Sequence, residues 1–129
     1  MPADNPEPSD ASMLQIKRIY LPPRPDDGYR VLVDRLWPRG VTRADAKLNE
    51  WLKILAPSDS LRTWYGHRAD RWREFQSRYR LELAEAEPTD ELIRLSHMAK
   101  RSALTLVYAA RNEHENQAVV LRQAIECAV

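Results

Sequence analysis

The apolar positions of this chain fall into short runs separated by proline- and glycine-marked breaks. Ile16 and Ile19 give apolar content to a first strand over residues 15–20. The proline-rich stretch 21–25 cannot continue a ladder, because proline has no N–H to donate, and Asp26-Asp27-Gly28 reads as a turn. Val31-Leu32-Val33 centres a second strand over 29–34. Its apolar run is continuous rather than alternating, which predicts a sheet covered on both faces. The link between the two strands is too short for the usual parallel crossover. The first pair is therefore expected to be antiparallel, and a fully parallel sheet is not expected.

Beyond residue 40 the period changes. Thr42 is a suitable N-cap for a short helix over 44–47. Residues 48–55 fit two templates: Leu48, Trp51, Leu52 and Leu55 match helical spacing, while Leu48, Glu50, Leu52 and Ile54 match a strand. Ser58 or Asp59 caps a short helix that Gly66 stops. From Asp70 to about residue 85, Trp72, Phe75, Tyr79 and Leu83 make one apolar stripe, with Arg71, Arg73, Glu74, Arg78 and Glu82 mostly off it. A further helix begins at Pro88-Thr89, residues 103–108 form a buried strand, and 114–128 close as a helix. The elements predict an α/β fold: a small three-layer sandwich of about four mostly parallel or mixed strands with helices on both faces. One domain is expected over 15–129, after a polar, proline-broken N-terminal tail (1–14) that is expected to be disordered.

Charge narrows the partners. The chain has 20 basic and 19 acidic side chains, a net charge of +1, unlike domains held on nucleic acid by bulk charge. Between Lys17 and Arg43, however, seven basic residues face three acidic ones, which suits a local anion better than a long polyanion. No apolar run approaches the roughly 18 residues of a membrane span, and the N-terminus lacks the pattern of a signal peptide. The single cysteine, Cys127, fits a reducing compartment. A cytoplasmic protein is expected.

Chemistry concentrates at two strand ends. Asp34-Arg35-Leu36-Trp37-Pro38-Arg39-Gly40 follows the second strand directly, and ligands of open α/β sheets bind outside the carboxyl ends of strands. Arginine presents a planar fork that grips phosphate or carboxylate bidentately. Asp34 can orient a guanidinium or act as a base if burial raises its pKa. Equally, Asp34 can pair with an arginine to pin the strand end while Trp37 and Pro38 pack a rigid turn. Tyr108-Ala109-Ala110-Arg111-Asn112 ends the last strand just before a helix N-terminus, an anion-attracting element. Asn116 is expected chiefly to lock its loop. His67, His97 and His114 are scattered without metal spacing, so no metal is expected, and His67 reads as a surface residue. The glycines are isolated, which excludes phosphate-loop and dinucleotide fingerprints. The aromatic and basic residues from Trp64 to Tyr79 read as core plus solvated face rather than a nucleic-acid surface.

As a set, three motifs carry a resemblance. These are Asp27-Gly28-Tyr29-Arg30-Val31-Leu32-Val33-Asp34-Arg35-Leu36-Trp37-Pro38-Arg39-Gly40, Glu50-Trp51 with Ala56-Pro57-Ser58, and Leu106-Val107-Tyr108-Ala109-Ala110-Arg111. Over residues 16–125 the chain resembles the YeaO-like branch of the domain-of-unknown-function 488 family. The resemblance implies a compact α/β fold, makes 48–54 a strand, and brings no established activity. Relatives often carry an acidic residue at the position of Asn112 and a histidine at that of Glu115, so no catalytic histidine carries over to His114.

The best expectation is a domain binding a small anionic, phosphate- or nucleotide-like ligand through Arg35, Arg39 and Arg111. Trp37, Tyr108, Asn112 and Asn116 are further candidates, and Asp34 is the catalytic candidate for hydrolase or transferase chemistry. The alternative is a non-catalytic protein-interaction or regulatory module. No cofactor is expected, nucleic-acid binding ranks last, and a protein partner is not specified.

Overall fold

A computed structural model describes residues 13–128. The expected disordered tail lies outside the described residues up to position 12; Leu14, by contrast, already belongs to a strand. The strands are β1 (Leu14–Arg18), β2 (Tyr29–Leu32), β3 (Glu50–Trp51) and β4 (Leu104–Tyr108), in the order β1-β4-β2-β3 with every neighbour parallel. The expected antiparallel first pair does not form. β4 inserts between β1 and β2, so the short link has only to return to the other end of the sheet. Its ten residues, 19–28, hold only a 3₁₀ turn at Pro25–Asp27 and would reach about 33 Å when extended, ample for recrossing a five-residue strand without an α-helix.

The sheet divides two cores of unequal size. Val31, Val33, Leu104, Leu106 and Tyr108 face α2 (Asp59–Tyr65), α3 (Trp72–Leu83), α4 (Ala86–Ala99) and α5 (Gln117–Cys127) in the larger one. Leu32 and Val107, at alternate positions, face a smaller core with Ile19 and Ala46, covered by the link and by α1 (Arg43–Ala46). The α/β sandwich is therefore three-layered but lopsided: one face carries four helices, the other mainly loop. Burial on both faces accounts for the unbroken apolar run of β2.

Local signals set the element ends. Thr42 Oγ1 accepts from the Asp45 amide, Ser58 caps α2 and Gly66 ends it. α3 begins at Trp72 rather than Asp70, because Ala69–Arg71 is a 3₁₀ turn. α4 begins at Ala86, with Pro88 in its first turn, where the missing N–H costs nothing. α5 begins at Gln117 rather than His114, since the Asn112 side chain holds the amides of His114 and Glu115 in a loop and Asn116 caps the helix at the amides of Ala118 and Val119. The strand expected over 48–54 shrinks to Glu50–Trp51, followed by a 3₁₀ turn at Lys53–Leu55 that buries Leu55.

The turn before β2 is built around Gly28 at φ 66°. A Cβ there would overlap the carbonyl of Ala103, to which the Tyr29 amide donates. We expect Gly28→Ala to cost about 3 kcal/mol in chemical denaturation, from overpacking added to a positive φ. A loss below about 1 kcal/mol, the ordinary cost of a tolerated substitution, would mean the turn relaxes freely.

Candidate functional site

At the carboxyl ends of β2 and β4 lies a cleft of about 570 Å³. β2 delivers Asp34 and Arg35 to it, β4 delivers Ala109 to Asn112, and α2 with its following turn adds Arg62, Tyr65 and His67. Gln117 enters from the first turn of α5, and Phe75 of α3 lines it too. The two strands are hydrogen-bonded neighbours, so their terminal loops meet by construction.

Asp34 is fixed from three sides. Its Oδ2 accepts from the Ala109 amide at 3.1 Å, its Oδ1 accepts from Gln117 Nε2 at 2.5 Å, and its carbonyl accepts from Trp51 Nε1 at 2.6 Å. No arginine forms an ion pair with it among the described residues, contrary to the pinning role envisaged for it. Burial pushes the Asp34 carboxyl up to about 6, against the opposing pull of the Ala109 amide, Gln117 and the Arg62 charge. The carboxyl therefore changes charge near neutrality, the range useful for acid–base work.

Three guanidiniums line the same cleft. Arg35, half-buried, donates to the carbonyl of Pro57 at 3.0 Å and lies 3.7 Å from Asp59. Arg62, exposed on α2, donates to the same Asp59 at 3.1 Å. Arg111 is exposed and has no hydrogen-bond or ion-pair partner among the described residues. Arg18 donates to the carbonyls of Ala109 and Ala110 from behind, holding the β4 loop in place.

Of the residues singled out from sequence, Asp34, Arg35, Arg111 and Asn112 line the cleft. Four do not. Trp37 packs edge-on against Trp51 in the smaller core, donates to the Val41 carbonyl and lies under Arg43, so it shapes the loop after β2. Arg39 is exposed beyond the lining, and its carbonyl accepts from Tyr20. Tyr108 shares the parity of Leu104 and Leu106, which buries its ring against the helices. Asn116 caps α5 by accepting from Ala118 and Val119, and its Nδ2 donates to the Asn112 carbonyl in the loop before the helix. Asn112 itself spends its side-chain oxygen on the amides of His114 and Glu115.

Arg62, His67 and Gln117 were not picked out from sequence as site residues. His67 is indeed exposed, in a turn at φ 57°, but that turn faces the cleft. The helix carrying Arg62 was legible from Ser58 and Gly66; its docking beside the β2 end was not. In the aromatic-basic region, Arg71 and Arg78 lie over Trp64, while Phe75 and Tyr79 are buried. Among the described residues no group of three His, Cys, Asp or Glu could hold a metal ion, and no helix is long and apolar enough to cross a membrane.

A family model described as the inactive DUF488-N3 subclade (DUF488-N3i) matches residues 13–129. The chain belongs to this family. Among curated proteins it is 44% identical over 108 residues to the uncharacterized protein YeaO of Escherichia coli (strain K12), covering 84% of this chain and 92% of YeaO. It is 42% identical over 112 residues to the uncharacterized protein Rv3073c of Mycobacterium tuberculosis (strain ATCC 25618 / H37Rv), covering 87% and 92%. The uncharacterized protein Mb3100c of Mycobacterium bovis matches to the same extent. No solved structure matches the chain. The YeaO-like assignment made from the strand-end motifs thus holds across nearly all of this DUF488-N3i domain.

Proposed function

We propose that this domain binds a small anionic ligand in the cleft at the ends of β2 and β4, as a cytoplasmic binding module without turnover. The observation that carries the reading is the convergence of Arg35, Arg62 and Arg111, from three separate elements, on one cleft of ligand size. Guanidiniums are the side chains best suited to phosphate and carboxylate. Arg62 and Arg111 stand at the exposed rim, where they can also steer an anion inward.

Two features favour binding over catalysis. The lining contains no serine, threonine, cysteine or lysine, which leaves Asp34, Tyr65 and His67 as its only groups able to act as nucleophile, and the family model is described as inactive. A second reading, hydrolase or transferase chemistry with Asp34 as acid–base group, draws on the raised Asp34 pKa. It predicts breakdown of a phosphorylated compound that stops in Asp34→Asn.

The test is a thermal-shift panel of small phosphorylated and carboxylate compounds, followed by calorimetry on any that stabilise the protein. We expect at least one anion to bind and to be recovered intact. Arg62→Ala and Arg111→Ala should each weaken it about 10- to 100-fold, the worth of one charge-assisted hydrogen bond. An empty panel, or binding indifferent to both substitutions, would overturn the proposal.

A further inference from the structure

The cleft is not a simple anion hole, because a carboxylate lies among its arginines. Asp34 is fixed within the lining, and its charge opposes any bare oxyanion drawn in by Arg35, Arg62 and Arg111. A ligand that satisfies both sets of groups must be bipartite, with an anionic end for the guanidiniums and hydrogen-bond donors for the carboxylate.

The geometry at Asp34 narrows the donor end. Each carboxylate oxygen offers about two acceptor sites. The Ala109 amide uses one on Oδ2 and Gln117 Nε2 uses one on Oδ1. By this count one acceptor site remains on each oxygen. Two adjacent hydroxyls can occupy that pair, one on each oxygen. The remainder of the lining agrees. Ala109 and Ala110 have side chains small enough for a ring to approach the backbone, and the buried Tyr65 and Phe75 add apolar lining at the base of the cleft. The volume of about 570 Å³ also exceeds what an inorganic anion needs.

We propose, resting on the anion-binding reading above, that the ligand is a phosphorylated vicinal diol, with its two hydroxyls on Asp34 and its phosphate on Arg62 and Arg111. A pentose phosphate carries this chemistry, either free or as the ribose phosphate of a nucleotide. Asp34 is then a recognition residue whose two unused acceptor sites read the diol.

The experiment is calorimetric titration of the full chain with inorganic phosphate, ribose 5-phosphate, 2-deoxyribose 5-phosphate and AMP. Ribose 5-phosphate or AMP should bind about 10- to 100-fold more tightly than phosphate or the deoxy sugar, the value of hydrogen bonds to a charged acceptor. Tighter binding of AMP would identify a nucleotide as the source, and equal binding a free pentose phosphate. Asp34→Asn should remove the preference for the diol and, with the opposing charge gone, tighten inorganic phosphate. If phosphate or the deoxy sugar binds as well as ribose 5-phosphate, in an Arg62-dependent way, the diol assignment falls and the anion site stands. If none of the four binds and the broader anion panel is also empty, the anion site falls with it.

Discussion

Asp34→Asn is expected to make the protein more stable at pH 8, and to lose most of that advantage at pH 4.5. The folded-state pKa of about 6 stands above the ordinary 3.8. Between these values the folded chain holds a proton that the unfolded chain has released. The stability this contributes is present below 3.8 and is lost as pH rises through 6. Above that, the half-buried charge costs up to about 3 kcal/mol, taking 1.36 kcal/mol for each pKa unit. Asparagine keeps the shape and an acceptor for the Ala109 amide, and Gln117 can turn its carbonyl towards the new amide. Urea denaturation of both proteins should show the gap widening by about 2 kcal/mol from pH 4.5 to pH 8. A constant gap would mean that Asp34 is not desolvated. A carboxylate that carries such a cost does not stabilise the fold at neutral pH.

Asp27→Asn is expected to do the reverse and cost about 3–5 kcal/mol, the loss typical of breaking a buried ion pair from one side. Asp27 accepts from Arg30 at 2.7 Å, from Lys17 at 3.0 Å and from the Arg24 amide at 3.0 Å, and its carbonyl accepts from Thr105. It thereby ties β1, β2 and β4 together. Burial pushes its carboxyl up, but the Arg24 amide, Lys17 and Arg30 more than reverse this and hold it below the usual carboxylate range. Its stabilisation is present above 3.8 and is lost only as pH falls through the lower folded value. The wild-type contribution is therefore flat from pH 5 to 8, where that of Asp34 is not. The Arg30 side chain, 4% exposed, would be left buried without its carboxylate. Removing it as well, in Asp27→Asn with Arg30→Met, should cost less than the sum of the single variants. Additive losses in guanidinium denaturation would show that the two residues act independently.

Much of the Asp27–Gly40 motif is thus structural. Asp27, Gly28 and Arg30 pin strands, and Trp37 packs a loop; Asp34 and Arg35 line the cleft. From sequence these duties look alike, because a charged residue at a strand end serves an internal pair or a ligand equally well. Parity separated Tyr108 from the site: an alternating strand turns it with Leu104 and Leu106 towards the helices. Arg39 was lost for a different reason, since the loop after Trp37 carries it away from the strand end.

The sequence by itself determined the local elements. The caps at Thr42, Ser58 and Gly66, the stripe from Trp72 to Leu83 and the doubly buried β2 and β4 were all legible. Each depends on residues a few positions apart, through side-chain period or a cap bond. Only the tertiary structure decided that β4 lies between β1 and β2, all parallel, and that α2 and α5 bring Arg62, His67 and Gln117 to Asp34. Period tells which face of a strand is buried but not which strand pairs with it. That choice is made by burial and hydrogen bonding between segments up to 90 residues apart, such as Leu14 with Leu104. The burial of Asp34, and with it the chemistry of the cleft, follows from that choice.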